Sequence, residues 1–380
     1  MARLKEYNGH YCESEYEYAF IGFLEAEGWK YSSGNNISRV TKRDVLIADD
    51  FKKFIADTNP DLTEDEVTKI YDNVRLVGAE SDFATLHKVY GWMVNGVQFT
   101  PQDELPRMIP LIDFDNWNKN IFRVVNQFTV EYTNNGQKEN RRPDVLLFVN
   151  GIPLCVIELK NPTDANATIY DAWEQINIRY WRDIPHLLHY CPLACISDGV
   201  KTRLGTVRTP YEHFYAWRRV NEGDAVSTLP FAETETMIKG VYSPERFLEI
   251  FRDYIYFQDS IYDSDEQEIV CRYPQFFATR LLKQSIIKSV VEKSGKGGTY
   301  FGATGCGKTY TMAFLARQLA LRCTDIPEIG SPTIILIVDR DELQKQGSKL
   351  FTKSKEFLNL GEVSVVKNRA QLRQELGARQ

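Results

Sequence analysis

The chain has 380 residues and a formal net charge of −6, with 43% hydrophobic and 26% charged residues. This length predicts two domains or more, and the composition is that of a globular protein rather than a disordered or fibrous one. The acidic balance argues against a simple nucleic-acid coat protein. It still allows an enzyme that binds DNA through one local basic face and keeps carboxylates for a metal ion.

The cysteines and the apolar runs indicate a protein of the cytoplasm. Seven cysteines are scattered along the chain without a C-x-x-C pair, which fits reduced thiols better than a disulfide frame or a zinc ribbon. No run of about 18 apolar residues predicts a membrane span, and the N-terminus lacks the apolar core of a signal peptide. We therefore expect a cytoplasmic protein without membrane contact.

The first part of the chain predicts helices. Residues 13–29 repeat apolar side chains near helical spacing, and residues 61–77 and 81–90 have a similar pattern. Asp61 or Thr63 is a candidate N-cap, because a short side-chain oxygen can accept a hydrogen bond from the first helical turn. The chain thus opens with helical structure.

Strands follow this helical part. β-branched and aromatic residues become frequent, and the pairs Asn135-Gly136 and Asn150-Gly151 are typical of two-residue hairpin turns. Residues 166–183 return to a helical pattern, and residues 192–197 predict another buried strand. Helices, a meander of strands, a helix and a strand predict a mixed α/β domain, which we place at residues 1–230.

A second unit follows a less periodic connecting region at residues 231–265. There, Ser243 and Pro244 predict the start of a helix, as N-cap and first helical residue. Residues 266–380 contain a helical segment, the short strand "GTYF", a glycine-rich loop, a helix and the apolar strand "TIILIVD". Strand, loop, helix and strand form a βαβ unit, so we expect a nucleotide-binding α/β domain.

The loop "GATGCGKT", residues 302–309, matches the phosphate-loop pattern G-x-x-x-x-G-K-[ST]. Its backbone N–H groups would face phosphate oxygens, and the N-terminus of the following helix adds partial positive charge. Lys308 would contact the β- and γ-phosphates of ATP, and Thr309 would hold Mg²⁺ through its hydroxyl. The other candidate ATP-binding residues of the loop are Gly302, Thr304, Gly305, Cys306 and Gly307.

Hydrolysis of ATP requires a further acidic motif at the end of a later strand. Asp339 is the only strand-end acid after the loop, and Arg340 follows it where a glutamate would be expected. Asp339 is therefore either the metal-binding acid or, as in helicase-like motors, part of a nucleic-acid contact on the strand before the acidic motif. We favour the second interpretation, which predicts at most weak ATP binding and no productive hydrolysis by this chain.

The stretch "RRPDVLLFVNGIPLCVIELKNP", residues 141–162, has charged ends around an apolar middle. Nucleases that use Mg²⁺ need carboxylates to hold the ion and a lysine to position water or neutralise charge. Glu158 and Lys160 are two apart on one strand and share a face, and Asp144 lies on the preceding strand. The alternative is an exposed strand end with ordinary charges.

The register between these two strands decides whether Asp144 faces Glu158. If Asn150-Gly151 is a two-residue turn with regular pairing, the two residue numbers of each cross-strand pair add up to 301. Asp144 then faces away from Glu158. If the loop is longer or a bulge intervenes, the paired numbers sum to 302, and the two carboxylates stand opposite each other. The nuclease hypothesis therefore predicts a longer loop or a bulge.

Two further side chains are candidates for the same site. Glu17 lies on the first helix. Its carboxylate either contributes to a site on the neighbouring sheet or faces solvent. Gln175 lies on the helix after Lys160, together with Tyr180. The candidate catalytic set is thus Asp144, Glu158, Lys160, Gln175 and Glu17, with Asp144 and Glu158 as metal ligands.

Taken together, these motifs resemble a known family. "PD" followed by "ELK" is similar to the PD-(D/E)xK nuclease core. The chain resembles the R subunit of type I restriction enzymes over most of its length. The resemblance lies in the order of the motifs, in which the nuclease core is followed by "RYPQFFATR", "GATGCGKT" and "ILIVDRDELQKQ". The resemblance implies a restriction-endonuclease-like mixed sheet flanked by helices, followed by a partial RecA-like P-loop α/β domain as the first motor lobe.

The resemblance also implies roles for individual residues. Gln275 of "RYPQ", with Arg272, would read the adenine of ATP. Asp339, Arg340 and Gln346 match the motif after the first motor strand, which supports a role for Asp339 other than metal binding. The family often has Q-x-x-x-Y after the lysine, whereas Gln175 and Tyr180 are five apart, about 140° around an α-helix. A role for Tyr180 is therefore in doubt.

The implied parent activity is ATP-driven translocation on double-stranded DNA followed by cleavage of unmodified DNA, with Mg²⁺ and ATP as cofactors. The implied partners are the modification (M) and specificity (S) subunits. R subunits are much longer, so this chain resembles an N-terminal fragment. Other functions stay open: a translocase or helicase fragment with an inactive nuclease-like domain, a repair nuclease without methylase partners, or a non-catalytic nucleotide switch.

Overall fold

A computed structural model describes residues 13–78, 80–102, 104–161, 168–226, 232–258, 266–338, 350–351, 355–358, 364–366 and 368–377. The chain divides into two compact units: residues 1–255 with 268–273, and residues 256–267 with 274–380. The domain limits expected at residues 230 and 265 remain a prediction.

The described residues from 13 to 95 contain four α-helices, which are α1 Glu13–Ala26, α2 Ala48–Thr58, α3 Glu64–Arg75 and α4 Asp82–Asn95. Three of these were expected, and Thr63 is the N-cap of α3, in a capping box with Glu66. Helix α2 was not expected. Its N-cap, Ile47, makes no side-chain capping hydrogen bond, so its sequence lacks the usual start signal.

A six-stranded mixed sheet forms the core of the first unit, in the order β1-β4-β7-β8-β9-β10. Its strands are β1 Lys30–Ser33, β4 Phe122–Asn126, β7 Val145–Val149, β8 Ile152–Leu159, β9 Leu193–Ser197 and β10 Thr202–Thr206. Two separate pairs are β2 Val97–Phe99 with β3 Arg107–Ile109, and β5 Val130–Asn134 with β6 Gln137–Arg141. Every residue of β7 and β8 is buried, as expected for central strands.

Both expected hairpin turns are present. Asn135 and Gly136 have φ values of 48° and 78°, and Asn150 and Gly151 have values of 51° and 76°. Positive φ at both turn residues matches the twist of the flanking strands, and it is the reason why Asn-Gly is favoured there.

The connection between β8 and β9 is helical, because these two strands run parallel. It consists of α5 Ile169–Glu174, a π-helical turn Gln175–Tyr180, α6 Trp181–Asp183 and α7 Pro185–Leu188. Further along lie α8 Ala232–Met237, a second π-helical turn Ile238–Tyr242, and α9 Pro244–Asp253. Ser243 and Pro244 begin α9 as expected.

The described part of the chain also contains two short strands, β11 Ile255–Gln258 and β12 Gln267–Val270, and the helices α10 Tyr273–Val291, α11 Lys308–Leu321, α12 Lys355–Leu358 and α13 Arg369–Gly377. The expected strands "GTYF" and "TIILIVD" were wrong for the part that is described, because residues 298–301 and 333–338 form no strand. Phe301 and Ile337 are 93% and 87% exposed. A strand needs a neighbour to bond its backbone, and neither stretch has one within the described residues.

A mixed α/β architecture is therefore confirmed, while the RecA-like arrangement of the second unit remains a prediction. Within the described part of the chain, no helix is both long and apolar enough to cross a membrane.

Candidate active site

A β-bulge sets the register between β7 and β8. Phe148 pairs with Pro153 next to the turn, but Leu147 pairs with Cys155, so the residue between, Leu154, is extra. From there the paired numbers sum to 302 as far as Val145 and Ile157. The predicted bulge is confirmed. Pro153 has no N–H to offer the ladder, and proline inside a strand is typical of a bulge.

The bulge brings Asp144 opposite Glu158. The backbone N–H of Asp144 donates to Glu158 Oε1 at 3.4 Å, and the N–H of Leu159 donates to Asp144 Oδ2 at 2.7 Å. Glu158 has no exposed surface, whereas Asp144 is half-buried. The two carboxylates therefore lie side by side at the end of two fully buried strands.

Lys160 and Gln175 lie beside this pair. The Lys160 amine donates to Gln175 Oε1 at 3.1 Å, and Gln175 Nε2 donates to Glu158 Oε2 at 2.7 Å. The backbone N–H of Lys160 donates to the carbonyl of Ser197, which ties the end of β8 to β9. One amide side chain thus links the lysine and the buried carboxylate, because Gln carries both an acceptor and a donor.

Tyr180 belongs to the same network, which corrects the doubt raised by its spacing. Its hydroxyl donates to Glu158 Oε1 at 2.5 Å and accepts from Gln175 Nε2 at 2.8 Å. The turn from Gln175 to Tyr180 is π-helical, and hydrogen bonding from i to i+5 brings residues five apart onto one face. The 140° argument assumed an α-helix and fails for this turn. The spacing of Gln175 and Tyr180 is one residue longer than in Q-x-x-x-Y, and this is the sequence signal that could have predicted the π-helical turn.

Burial is the main cause of the pKa shifts in the site. It raises the pKa of Glu158 well above its ordinary value, and repulsion from Asp144 raises it further. The pKa of Asp144 is also raised by burial, although the Leu159 N–H and Lys160 act in the opposite direction. Burial raises the pKa of Tyr180 as well, so its phenol stays protonated and serves as a donor.

Glu17 on α1 is buried, close enough to Asp144 for the two charges to interact. Asn126 Nδ2 donates to Glu17 Oε1 at 2.6 Å. Burial raises the pKa of Glu17, and the charge of Asp144 adds to the shift. The solvent-facing interpretation of Glu17 is therefore wrong. Asn126, at the end of β4, was missed because an isolated asparagine in a strand carries no sequence signal for a site.

The carboxylates have the chemistry of a magnesium site. Within the described ranges, no group of three or more His, Cys, Asp or Glu side chains is gathered closely enough to hold a metal ion. Mg²⁺, however, is usually bound by one or two carboxylates, several waters and substrate phosphates. Asp144 and Glu158 provide that number of hard oxygen ligands, and a cation would offset the burial of their charges.

The loop at residues 302–309, called the phosphate loop below for its match to that sequence pattern, precedes α11 directly. Gly305 and Gly307 have φ values of 80° and 79°, which allow the loop to wrap. The Lys308 amine donates to the carbonyls of Gly302 and Ala303 at 2.8 and 3.0 Å. The loop is thus preformed around the lysine. Thr309 follows in the first turn of α11 and is half-buried.

The two residues expected to read adenine lie in different surroundings. Gln275 is buried, and its Nε2 donates to the carbonyls of Gly307 and Cys306 at 3.1 and 3.4 Å. The Arg272 guanidinium lies 3.4 Å from the centre of the Tyr215 ring. Gln275 is therefore connected to the phosphate loop. The other motif residues of this unit, Asp339, Arg340 and Gln346, lie outside the described residues.

A carboxylate pair with a lysine at the end of a mixed sheet, in a chain that also carries a glycine-rich loop before a helix, fits a protein that joins a nuclease-family domain to an ATPase-family domain. Comparison with known proteins agrees with this class. Residues 11–213 match the family model of the type I restriction enzyme R protein N terminus, and the chain belongs to this family. Residues 274–380 match the SWI2/SNF2 ATPase model.

Similar proteins include endonuclease subunits of restriction enzymes. The putative type I restriction enzyme MjaIXP endonuclease subunit of Methanocaldococcus jannaschii is 30% identical over 88% of this chain and 34% of its own length. The type I restriction enzyme HindI endonuclease subunit of Haemophilus influenzae is 29% identical over 96% of this chain and 35% of its own length. The chain thus spans about a third of the length of these curated relatives.

Proposed function

We propose that the first unit is a Mg²⁺-dependent endonuclease that cleaves double-stranded DNA. The observation that carries this proposal is the bulge in β8, which places Asp144 opposite Glu158 with Lys160 two residues further along. A structural strand end does not need two carboxylates in one buried place, because their mutual repulsion costs stability.

Asp144 and Glu158 would hold Mg²⁺, with Glu17 close enough to respond to the charge of Asp144. When bound, Mg²⁺ would supply an acidified water and would neutralise charge on the scissile phosphate. Lys160 would position the attacking water or balance the negative charge that develops on the phosphate. Gln175 would orient the Lys160 amine through its 3.1 Å hydrogen bond, and Tyr180 would fix the Glu158 carboxylate.

The second unit would bind ATP with Mg²⁺. The loop backbone and Lys308 would surround the phosphates, and Thr309 would contact the metal ion. In a protein as long as these relatives, ATP-driven translocation would precede cleavage of unmodified DNA, in a cytoplasmic complex with modification and specificity subunits. The names of the relatives support the restriction-endonuclease activity and the membership of a complex, since they are type I restriction enzyme endonuclease subunits.

Alanine at Asp144 tests the nuclease assignment. We expect Asp144→Ala to abolish Mg²⁺-dependent cleavage by the chain reconstituted with modification and specificity subunits, and to weaken binding of Mn²⁺ to the chain alone, measured by calorimetry. Asp57→Ala is the matched control, because Asp57 is an exposed acid of α2 that pairs with Lys53. Cleavage that survives Asp144→Ala would show that the acidic pair is not catalytic and would favour a translocase with an inactive nuclease-like domain.

A further inference from the structure

The outer face of the π-helical turn is tied to the chain that follows β10. Trp173, Asn177 and Trp181, spaced four apart, all donate to backbone carbonyls there. Trp173 Nε1 reaches the carbonyl of Thr209 at 2.9 Å, and Trp181 Nε1 reaches that of Val207 at 2.8 Å. Asn177 Nδ2 reaches both carbonyls, each at 3.0 Å. Four hydrogen bonds therefore converge on two acceptors.

The segment that accepts these bonds is itself held firmly. Val207 is fully buried, and Thr209 is nearly so. The N–H of Thr206 donates to Thr209 Oγ1 at 2.9 Å, and the Arg208 guanidinium lies 5.7 Å from the centre of the Trp181 ring. The two carbonyls are thus fixed in place, and leaving them without donors in a buried position would be costly.

The opposite face of the same turn carries the site. Gln175 and Tyr180 both contact Glu158, and only π-helical winding allows this at a spacing of five. Rewound as an α-helix, the turn would place Tyr180 about 140° around the helix axis from Gln175, so the two side chains would no longer share the face toward Glu158. Because π-helical turns are rare, this one needs contacts from outside the helix. Asn177 lies in the middle of the turn and makes two of them.

We propose that Asn177 is a positioning residue of the nuclease site, which holds the π-helical turn against Val207–Thr209 and thereby keeps Tyr180 on Glu158. This inference rests on the proposed metal-dependent nuclease. Among the described residues, Asn177 makes no hydrogen bond to either carboxylate, so it acts through the turn. Its buried Oδ1 also has no hydrogen-bond partner in that part of the chain, which leaves the amide N–H₂ as the group that matters.

The chemistry of the amide suggests the variant. Asn177→Asp keeps the shape of the side chain but places a carboxylate oxygen against two carbonyl oxygens, so both hydrogen bonds become repulsive contacts. Asn177→Ala is the milder change, since it removes the bonds without repulsion. Folding of each variant is checked by circular dichroism and thermal unfolding before binding is measured.

Binding of Mn²⁺ to the full chain, without DNA, is the first measurement. We expect both Asn177 variants to bind Mn²⁺ about tenfold more weakly, as is typical when an outer-shell partner of a metal ligand is lost. Tyr180→Phe should weaken Mn²⁺ binding to a similar extent. If Asn177 acts through Tyr180, the double variant Asn177→Ala/Tyr180→Phe should bind no more weakly than Tyr180→Phe alone.

Rescue by deletion is the second measurement. Ile178 is 48% exposed, so its removal costs little packing. Deleting it leaves Gln175 and Tyr180 four residues apart. A regular α-helix then brings both side chains to Glu158 without the hydrogen bonds of Asn177. Combined with Asn177→Ala, the deletion should restore Mn²⁺ affinity. A general loss of structural stability at Asn177 would not be reversed in this way.

The outcomes separate this inference from the proposed function. Wild-type chain that binds no Mn²⁺ would overturn the metal site and this inference with it. Wild-type binding together with unchanged binding by the folded Asn177 variants would overturn the inference alone. The inference alone would also be overturned if the losses of Mn²⁺ affinity caused by Asn177→Ala and Tyr180→Phe were fully additive. It would likewise be overturned if the deletion of Ile178 failed to restore Mn²⁺ affinity.

Discussion

The hydroxyl of Tyr180 donates to Glu158 Oε1 at 2.5 Å, across the space between a π-helical turn and the end of β8. Glu158 is fully buried and receives a second bond from Gln175 Nε2. These two donors offset part of the cost of an ionised carboxylate inside the protein. The ionised form of Glu158, which the proposed metal site requires, therefore depends on donors from a helix whose winding is unusual.

Loss of the Tyr180 hydroxyl should slow DNA cleavage. Tyr180→Phe keeps the ring in its pocket but removes a donor to the charged carboxylate, which is worth about 1.5–3 kcal/mol. We expect the cleavage rate at saturating Mg²⁺ to fall about tenfold or more. Tyr132→Phe is the matched control, because Tyr132 donates to Glu139 at 2.6 Å outside the network of Asp144 and Glu158. Equal cleavage by both variants would contradict a role for Tyr180.

Neutralising Asp144 should stabilise the metal-free protein at neutral pH. Burial raises the pKa of both Asp144 and Glu158, so the folded chain retains protons that the unfolded chain releases. Stability due to these groups is therefore present at acid pH and is lost as pH rises from the ordinary carboxyl pKa toward the raised values. Asp144→Asn should gain about 1 kcal/mol at pH 8, or roughly 2–4 °C in Tm.

Thermal unfolding in EDTA at pH 5 and pH 8 measures this effect. The gain should be larger at pH 8 than at pH 5, and Mg²⁺ should raise the Tm of the wild-type chain more than that of Asp144→Asn. Glu212→Gln, at an exposed position, serves as the control for charge removal alone. A variant that is less stable than wild type at pH 8 would argue against charge strain at the pair.

The two Asn-Gly turns should respond differently to alanine. At Gly151 a Cβ atom would lie 2.2 Å from the carbonyl oxygen of Ile47, whereas at Gly136 nothing lies within 4 Å. Both glycines have positive φ, so Gly136→Ala should cost only about 1–2 kcal/mol from backbone strain. Gly151→Ala should cost more than about 3 kcal/mol in urea unfolding, because strain and clash combine. Similar losses would mean that the Gly151 turn can shift away from Ile47.

Lys308 should control nucleotide binding. Lys308→Ala removes the cation of the phosphate loop, so we expect ATP affinity to fall at least about tenfold, measured by titration with a fluorescent ATP analogue. Lys296→Ala, at an exposed lysine of the same unit, is the control. Asp144 belongs to the first unit, so binding of Mn²⁺ at the proposed site there should not change. Unaltered ATP affinity would exclude a phosphate-binding role for this lysine.

Local sequence determined several features of the fold because short-range sterics decide them. The Asn-Gly pairs required turns with positive φ, and both turns are present. Thr63 and Glu66 cap each other within one helical turn. The positions of Asp144, Glu158 and Lys160 allowed a conditional prediction: a nuclease site requires a longer loop or a bulge between the two strands, and a bulge is present.

Other features depended on partners far away in the chain. The apolar stretches at residues 298–301 and 333–338 have strand-like composition, yet no described neighbour pairs with them. The contact of Gln275 with the phosphate-loop carbonyls joins residues about thirty positions apart, which no local pattern encodes. Strand pairing and burial are decided by long-range packing, so local propensity alone predicts them poorly.

The sequence by itself determined the chemical groups of this protein: two carboxylates and a lysine around a hairpin, and a phosphate loop before a helix. Only the tertiary structure decided that Tyr180 joins Glu158, because this contact needs a π-helical turn held by Asn177 against Val207–Thr209. Helical winding responds to contacts on both faces of the helix. The spacing of two residues therefore predicts whether they share a helix face only when those contacts are known.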